Sequence, residues 1–153
     1  MSELSTTTSL EAWVSFLRAH AALTRELSAD LQREHGLTIN DYEVLLHLSR
    51  ADGARLRRVD LAGRVLLTAS GITRLLDGLE RSGYVCRETC AGDARVSYAK
   101  LTDAGREKLR SAGATHVRGI DELFNARYSD EERATLAELL GRLPSAGEPG
   151  PCS

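Results

Sequence analysis

Proline is missing from the first 143 residues; Pro144, Pro149 and Pro151 all fall in the last ten. No residue in the body of the chain therefore forces a break in a helix. Aromatic side chains are also scarce, with one Trp and two Phe in 153 residues. The three cysteines, Cys86, Cys90 and Cys152, are too few and too scattered for a disulfide framework and are expected to stay reduced. No apolar run is long enough to span a bilayer. The opening residues 1–9 are rich in Ser and Thr and lack the basic-then-apolar order of a secretion signal. A cytoplasmic protein with a flexible start is the expectation, and the Pro/Gly-rich residues 144–153 are expected to be disordered.

Catalytic signatures are absent as well. There is no Gly-rich phosphate loop, no H-E-x-x-H and no G-x-S-x-G, and Gly71 and Gly78 fall inside a helical pattern. The four histidines, His20, His35, His47 and His116, are scattered. Isolated histidines on helices are more often packing or surface residues than ligands, so neither metal nor cofactor is expected, and the chain is not read as an enzyme. With 42% hydrophobic residues, 153 residues can bury one sizeable core and have no room for a separate catalytic domain.

Helical signals dominate what remains. Leu10, Trp13, Val14, Leu17, Ala21, Leu27 and Leu31 form one apolar stripe, and Phe16, Ala19, Leu23 and Leu27 a second beside it. One stripe can cover the chain's own core; the other needs a further partner. Thr38 with Asp41 reads as a capping box before Tyr42, Val44, Leu45 and Leu48. Thr102 can cap a long helix through Leu109, Val117, Ile120, Leu123 and Phe124. Ser129 with Glu132 opens a last helix carrying Leu136, Leu139, Leu140 and Leu143.

The centre of the chain reads differently. Leu61, Ala62 and Val65 mark a short helix, Leu66-Leu67 an apolar turn, and Thr68 an N-cap for a second helix with Ile72, Leu75, Leu76 and Leu79 inward. Ser70, Thr73, Arg74 and Asp77 lie nearer the opposite face. Gly83 suits the left-handed stop. Tyr84-Val85 then starts an extended run, Ala91-Gly92-Asp93 turns, and Val96 to Leu101 returns. Helix, turn, helix and hairpin in this order describe a winged helix-turn-helix.

That arrangement fits duplex DNA. A helix matches the width of the major groove, and its first turns bring short donors and an arginine to base edges. Ser70 and Thr73 are the candidates for bases or phosphates, and Arg74 for guanine or phosphate. Arg95 on the hairpin is the candidate for a narrow, A·T-rich minor groove. Charge agrees: from Ala54 to Lys100 there are nine Lys/Arg against five Asp/Glu, a block of +4 in a chain of net −2.

The run LTASGITRLLDGLERSGYV, followed by Arg87, Asp93-Ala94-Arg95 and Leu101-Thr102-Asp103-Ala104-Gly105-Arg106, closely resembles the MarR family of bacterial winged-helix regulators. Gly36-Leu37-Thr38 before Tyr42 and Leu45 resembles that family's second helix. The resemblance covers roughly 10–143. It implies a mainly α fold with a small β-hairpin wing: a DNA-binding lobe at 38–101 flanked by dimerisation helices at 10–35 and 103–143. It places Thr68, Ser70, Thr73 and Arg74 on the recognition helix and Asp93 and Arg95 on the wing, where the Asp braces the loop and the Arg enters the minor groove. Ala94 stands where many members carry a further Arg.

The surplus of apolar helix face points to a homodimer on a pseudo-palindromic operator, with recognition helices roughly 34 Å apart. By resemblance, a small aromatic or phenolic effector would lie between dimer helices and DNA lobe; Trp13, Phe16, His20 and His47 are residue types suited to line such a pocket. The expected function is a transcriptional regulator, a repressor released by that effector. Two alternatives stay open: a redox sensor using Cys86 and Cys90, which are four residues apart on one strand face, and a protein-interaction module that binds no DNA.

Overall fold

Six helices and a small sheet make up the computed structural model, which describes residues 2–65 and 69–144. Helix α1 (Ser2–His35) is uninterrupted, as a stretch without Pro or Gly allows. It closes at Gly36, which at φ +67 lies in the left-handed region and donates its N–H to the Gln32 carbonyl, the single bond of an αL cap. Helix α1 begins at Ser2, within the 1–9 stretch read as a flexible start; Ser and Thr are only mildly poor helix formers and do not by themselves end a helix. The expected capping box is present ahead of α2 (Ile39–Arg50): Asp41 N–H donates to Thr38 Oγ1 at 3.1 Å and Thr38 N–H to Asp41 Oδ2 at 2.8 Å.

Next come β1 (Arg55–Arg57), α3 (Arg58–Arg64) and α4 (Ala69–Arg81). Thr68 and the Leu66-Leu67 turn, expected to cap α4 and precede it, lie outside the described residues. Gly83, at φ +79, ends α4 in the left-handed region, as its position suggested. The hairpin follows as β2 (Val85–Cys90) and β3 (Asp93–Leu101). Strand order is β1-β3-β2, all antiparallel, with Leu56 opposite Ala99 and Val85 opposite Leu101. A register shift after Thr89 brings Cys90 opposite Asp93, so β3 starts at Asp93 and only Ala91-Gly92 remain as the tip. Strand β1 is a third strand that the hairpin reading lacked.

Thr102 accepts from Gly105 N–H at 3.0 Å and starts α5 (Asp103–Leu123); a short 3-10 turn and the Ser129–Glu132 capping box lead into α6 (Asp130–Leu140). One core joins these parts. Leu31 of α1, Leu45 and Leu48 of α2, Leu61 of α3, Leu76 of α4, Val85 and Ala99 of the sheet and Ala112 of α5 are all buried in it. Each such Leu contributes roughly 1.5–3 kcal/mol by leaving water. Helix α5 touches the wing base very closely: a Cβ on Gly105 would sit 2.0 Å from the Tyr84 carbonyl oxygen, so only glycine fits there. Further along, His35 Nε2 lies 2.7 Å from Thr115 Oγ1, and Arg118 pairs with Glu34 at 2.9 Å, locking α1 to α5.

The two stripes of α1 divide along its length, not around it. Leu31 is buried and Leu23 and Leu27 are half-buried, whereas residues 9–22 are exposed on every face. The cause is geometric: the core and α5 reach only the second half of this rod, so both stripes of the first half stand bare, Trp13 at 56% exposure among them.

Candidate nucleic-acid interface

Helix α4 turns Ile72, Leu76 and Leu79 into the core, and this fixes what faces outward. Ser70, Thr73 and Arg74 are exposed on the other side and, with Asp77, line a shallow open depression. Ser70, Thr73 and Arg74, three of the four residues that the sequence assigned to the recognition helix, thus share one surface; Thr68, the fourth, is outside the described residues. Arg74 belongs to no ion pair among the described residues, which leaves its guanidinium available.

The wing carries the second element. Asp93 Oδ1 accepts from the Arg95 backbone N–H at 2.9 Å and from Arg95 Nε at 3.1 Å. The side-chain hydrogen bond from Arg95, reinforced by the backbone one, holds the Asp93 carboxyl below the usual aspartate range. One carboxylate therefore shapes the bend and aims the arginine. The Arg95 side chain is 92% exposed, standing at the edge of the molecule.

Not every cation of the basic block faces out. Arg55 and Lys100 both pair with Glu88, Arg55 also lying 4.9 Å from the centre of the Tyr98 ring. Arg58 is the larger correction. Its side chain is 11% exposed, with Nη1 donating to Glu80 Oε1 at 3.1 Å and Nη2 3.9 Å from Asp77 Oδ1. It is counted in the block's charge yet is turned toward protein. Arg57, Arg64, Arg74, Arg81 and Arg87 have no carboxylate partner among the described residues, so the outward face keeps a positive excess. Sequence reasoning missed Arg58 because its partners are about twenty residues away on another helix. The only available signal was the Asp77/Glu80 pair, one helical turn apart on a helix otherwise chosen for DNA.

The residues expected to line an effector pocket do not meet within one chain. Trp13 and Phe16 stand on the exposed half of α1 with ring centres 6.4 Å apart, and His20 is exposed further along the same helix. His47 sits half-buried on α2, where burial first and then Arg64 and Arg50 push its pKa down. An apolar hollow of about 350 Å³ exists elsewhere, lined by Ala19, Leu23, Leu123, Phe124 and Tyr128 among others, and includes none of the four. His116 packs tilted against Tyr42, ring centres 4.7 Å apart, its Nδ1 buried without a hydrogen-bond partner among the described residues. No cluster of three or more His, Cys, Asp or Glu suited to a metal ion occurs among the described residues.

Cys86 and Cys90 are exposed on β2. Four residues of strand separate them by about 13 Å, whereas a disulfide requires Cα atoms within about 7 Å. They cannot bridge to each other in this fold.

Comparison with known proteins places this geometry in a group. A family profile described as "MarR family" matches residues 35–96. The HTH-type transcriptional repressor YetL of Bacillus subtilis is 35% identical over 71% of this chain, which spans 64% of YetL's length. Among solved structures, AbsC, a MarR family transcriptional regulator from Streptomyces coelicolor, superposes with a TM-score of 0.80 at 34% identity, covering 88% of this chain and 90% of AbsC. Sco3205, a MarR family regulator of the same organism solved in complex with DNA, gives 0.82 at 31%, covering 89% and 85%.

Proposed function

The chain belongs to the MarR family and is a transcriptional regulator, and on that premise we propose that it is a homodimeric repressor reading a pseudo-palindromic operator. The observation that carries this reading is the outward stripe Ser70, Thr73 and Arg74 of α4, set beside a wing whose Arg95 is braced by Asp93. Such a stripe supplies short donors and a bidentate arginine for the major groove, while the wing tip offers a guanidinium to the adjacent minor groove. Repression is the activity named for YetL. Two copies would set their α4 helices about 34 Å apart, one turn of B-DNA.

The dimer reading is supported by the bare apolar surface at both ends of the chain. Leu10, Trp13 and Leu17 of α1, with Leu139, Leu140 and Leu143 at the other end, are all exposed in the single chain. Release by a small aromatic effector is part of the same reading. Trp13, Phe16 and His20 lie on the half of α1 that leaves its own core, so they and His47 would come together only across the assembled pair. A ligand favouring one separation of the two lobes would shift the population away from the spacing that fits DNA.

Selection of bound duplexes from a random pool, followed by sequencing, tests the proposal. The expected outcome is an inverted repeat with half-sites about ten base pairs apart. A pool that stays unenriched in dilute buffer overturns it and favours a protein-interaction role. Repeating the selection with a panel of phenols and aromatic acids tests the effector; if none lowers recovery, that part is withdrawn.

A further inference from the structure

We propose that Arg58 is a positioning residue for sequence reading: its guanidinium fixes the roll of α4 and ties that helix to the wing, so that Arg74 and Arg95 reach their grooves together. The inference rests on the DNA-reading role of α4 and the wing. It concerns a residue that faces away from solvent and so makes no phosphate contact of its own.

The placement comes first. Arg58 opens α3 directly after β1, and the preceding residue, Arg57, is paired with Tyr98 of β3, the strand that starts at the wing tip with Asp93 and Arg95. On its other side the guanidinium meets α4 at two points, Glu80 at 3.1 Å and Asp77 at 3.9 Å. Those two carboxylates are three residues apart, one helical turn. A planar fork hydrogen-bonded to Glu80, with the Asp77 carboxylate drawing its other arm from one turn away, resists rotation about the helix axis better than a lone point contact.

Rotation matters because of leverage. The core side of α4 is a stripe of Ile72, Leu76 and Leu79, whose apolar contacts are non-directional and by themselves fix the roll of the helix less tightly than a hydrogen-bonded fork; a roll of about 20° is a fifth of the step between successive residues. At the helix rim, about 6 Å from the axis, that angle moves a side chain by roughly 2 Å. Hydrogen bonds to base edges do not survive such a displacement, since donor and acceptor must stay within about 3.2 Å. Contacts to phosphate through long, mobile cations are far less sensitive. A loosened α4 would therefore lose discrimination before it loses general affinity.

A pure charge role predicts the reverse pattern, which makes the two separable. Glu80 is an acid on the reading helix; if Arg58 only neutralises it, Glu80→Gln should tighten binding to every duplex and Arg58→Lys should behave as wild type. If Arg58 positions α4, then Arg58→Gln, Arg58→Lys and Glu80→Gln all loosen the same grip.

The experiment measures affinity for the selected operator and for random duplex of equal length, each across a salt series. The expected result is a fall of about tenfold in the ratio of operator to random affinity for all three variants, the equivalent of about one good base contact. Random-duplex affinity and the slope of log affinity against log salt stay at wild-type values. Wild-type ratios in the variants, or Glu80→Gln binding all DNA more tightly with Arg58→Lys unchanged, overturn the inference. Should Arg58→Gln fail to fold by circular dichroism, Arg58→Lys and Glu80→Gln decide. Wild-type protein that binds no duplex overturns the DNA-reading role and this inference together, whereas a selective wild type with unaffected variants overturns only the latter.

Discussion

On the proposed reading, individual side chains divide into those that would touch DNA and those that would aim others. Arg74, outside any carboxylate pair among the described residues, is expected to lose about 1–3 kcal/mol of operator affinity on Arg74→Ala and to relax preference at one position. Arg95→Ala should weaken binding most where the flanks are A·T-rich. Competition binding with single-base operator variants checks both, with Glu138→Ala on α6 as a control that leaves affinity unchanged. Titration gives a second expectation. Burial lowers the pKa of His116 and of His47, so the unfolded chain takes up these protons first as pH falls. Stability is then complete above the ordinary histidine value and declines as pH drops toward the folded values. Melting temperature should be lower at pH 5.5 than at 7.5, and His116→Phe, which keeps a ring against Tyr42 and removes the orphaned Nδ1, should shrink the difference. Ser70, Thr73 and Arg74 were legible in the sequence because helical spacing alone sets them opposite Ile72 and Leu76. Arg58 was not, because its ion pair joins two helices whose approach only the folded chain defines.

At the scale of elements, local rules were enough for most boundaries. The capping boxes at Thr38 and Ser129, the Thr102 cap and the Gly83 stop each involve residues within four positions, and each appears where the sequence placed it. Strand β1 escaped because Arg-Leu-Arg is too short to show alternation; it is a strand only because β3 lies beside it. The contact between α5 and the wing base was equally invisible, since a glycine in a helix gives no hint of a carbonyl pressed against it. Gly105→Ala should cost about 3 kcal/mol, the upper range for forcing a group into a filled space. Chemical denaturation measures that loss, and the same change at exposed Gly63, where a Cβ meets nothing within 4 Å, should cost nothing or stabilise slightly.

For the molecule as a whole, the bare apolar ends are the feature to test. Leu139→Glu combined with Leu140→Glu should convert a dimer to a monomer in size-exclusion chromatography with light scattering. Operator affinity should fall by about a hundredfold or more as the second half-site stops being held nearby. A variant that stays dimeric with full affinity would move the interface elsewhere. The first part of α1 has a further consequence. Residues 9–22 extend α1 past the part that its own core holds and bury little surface in the single chain, so that stretch is marginal in water. In the proposed dimer, ordering of that segment and encounter with a second copy would become one event, governed by how many molecules a cell holds. When copies are few, this exposed stretch would stay open to proteases, so scarcity would be self-reinforcing and chains that find a mate would persist longer.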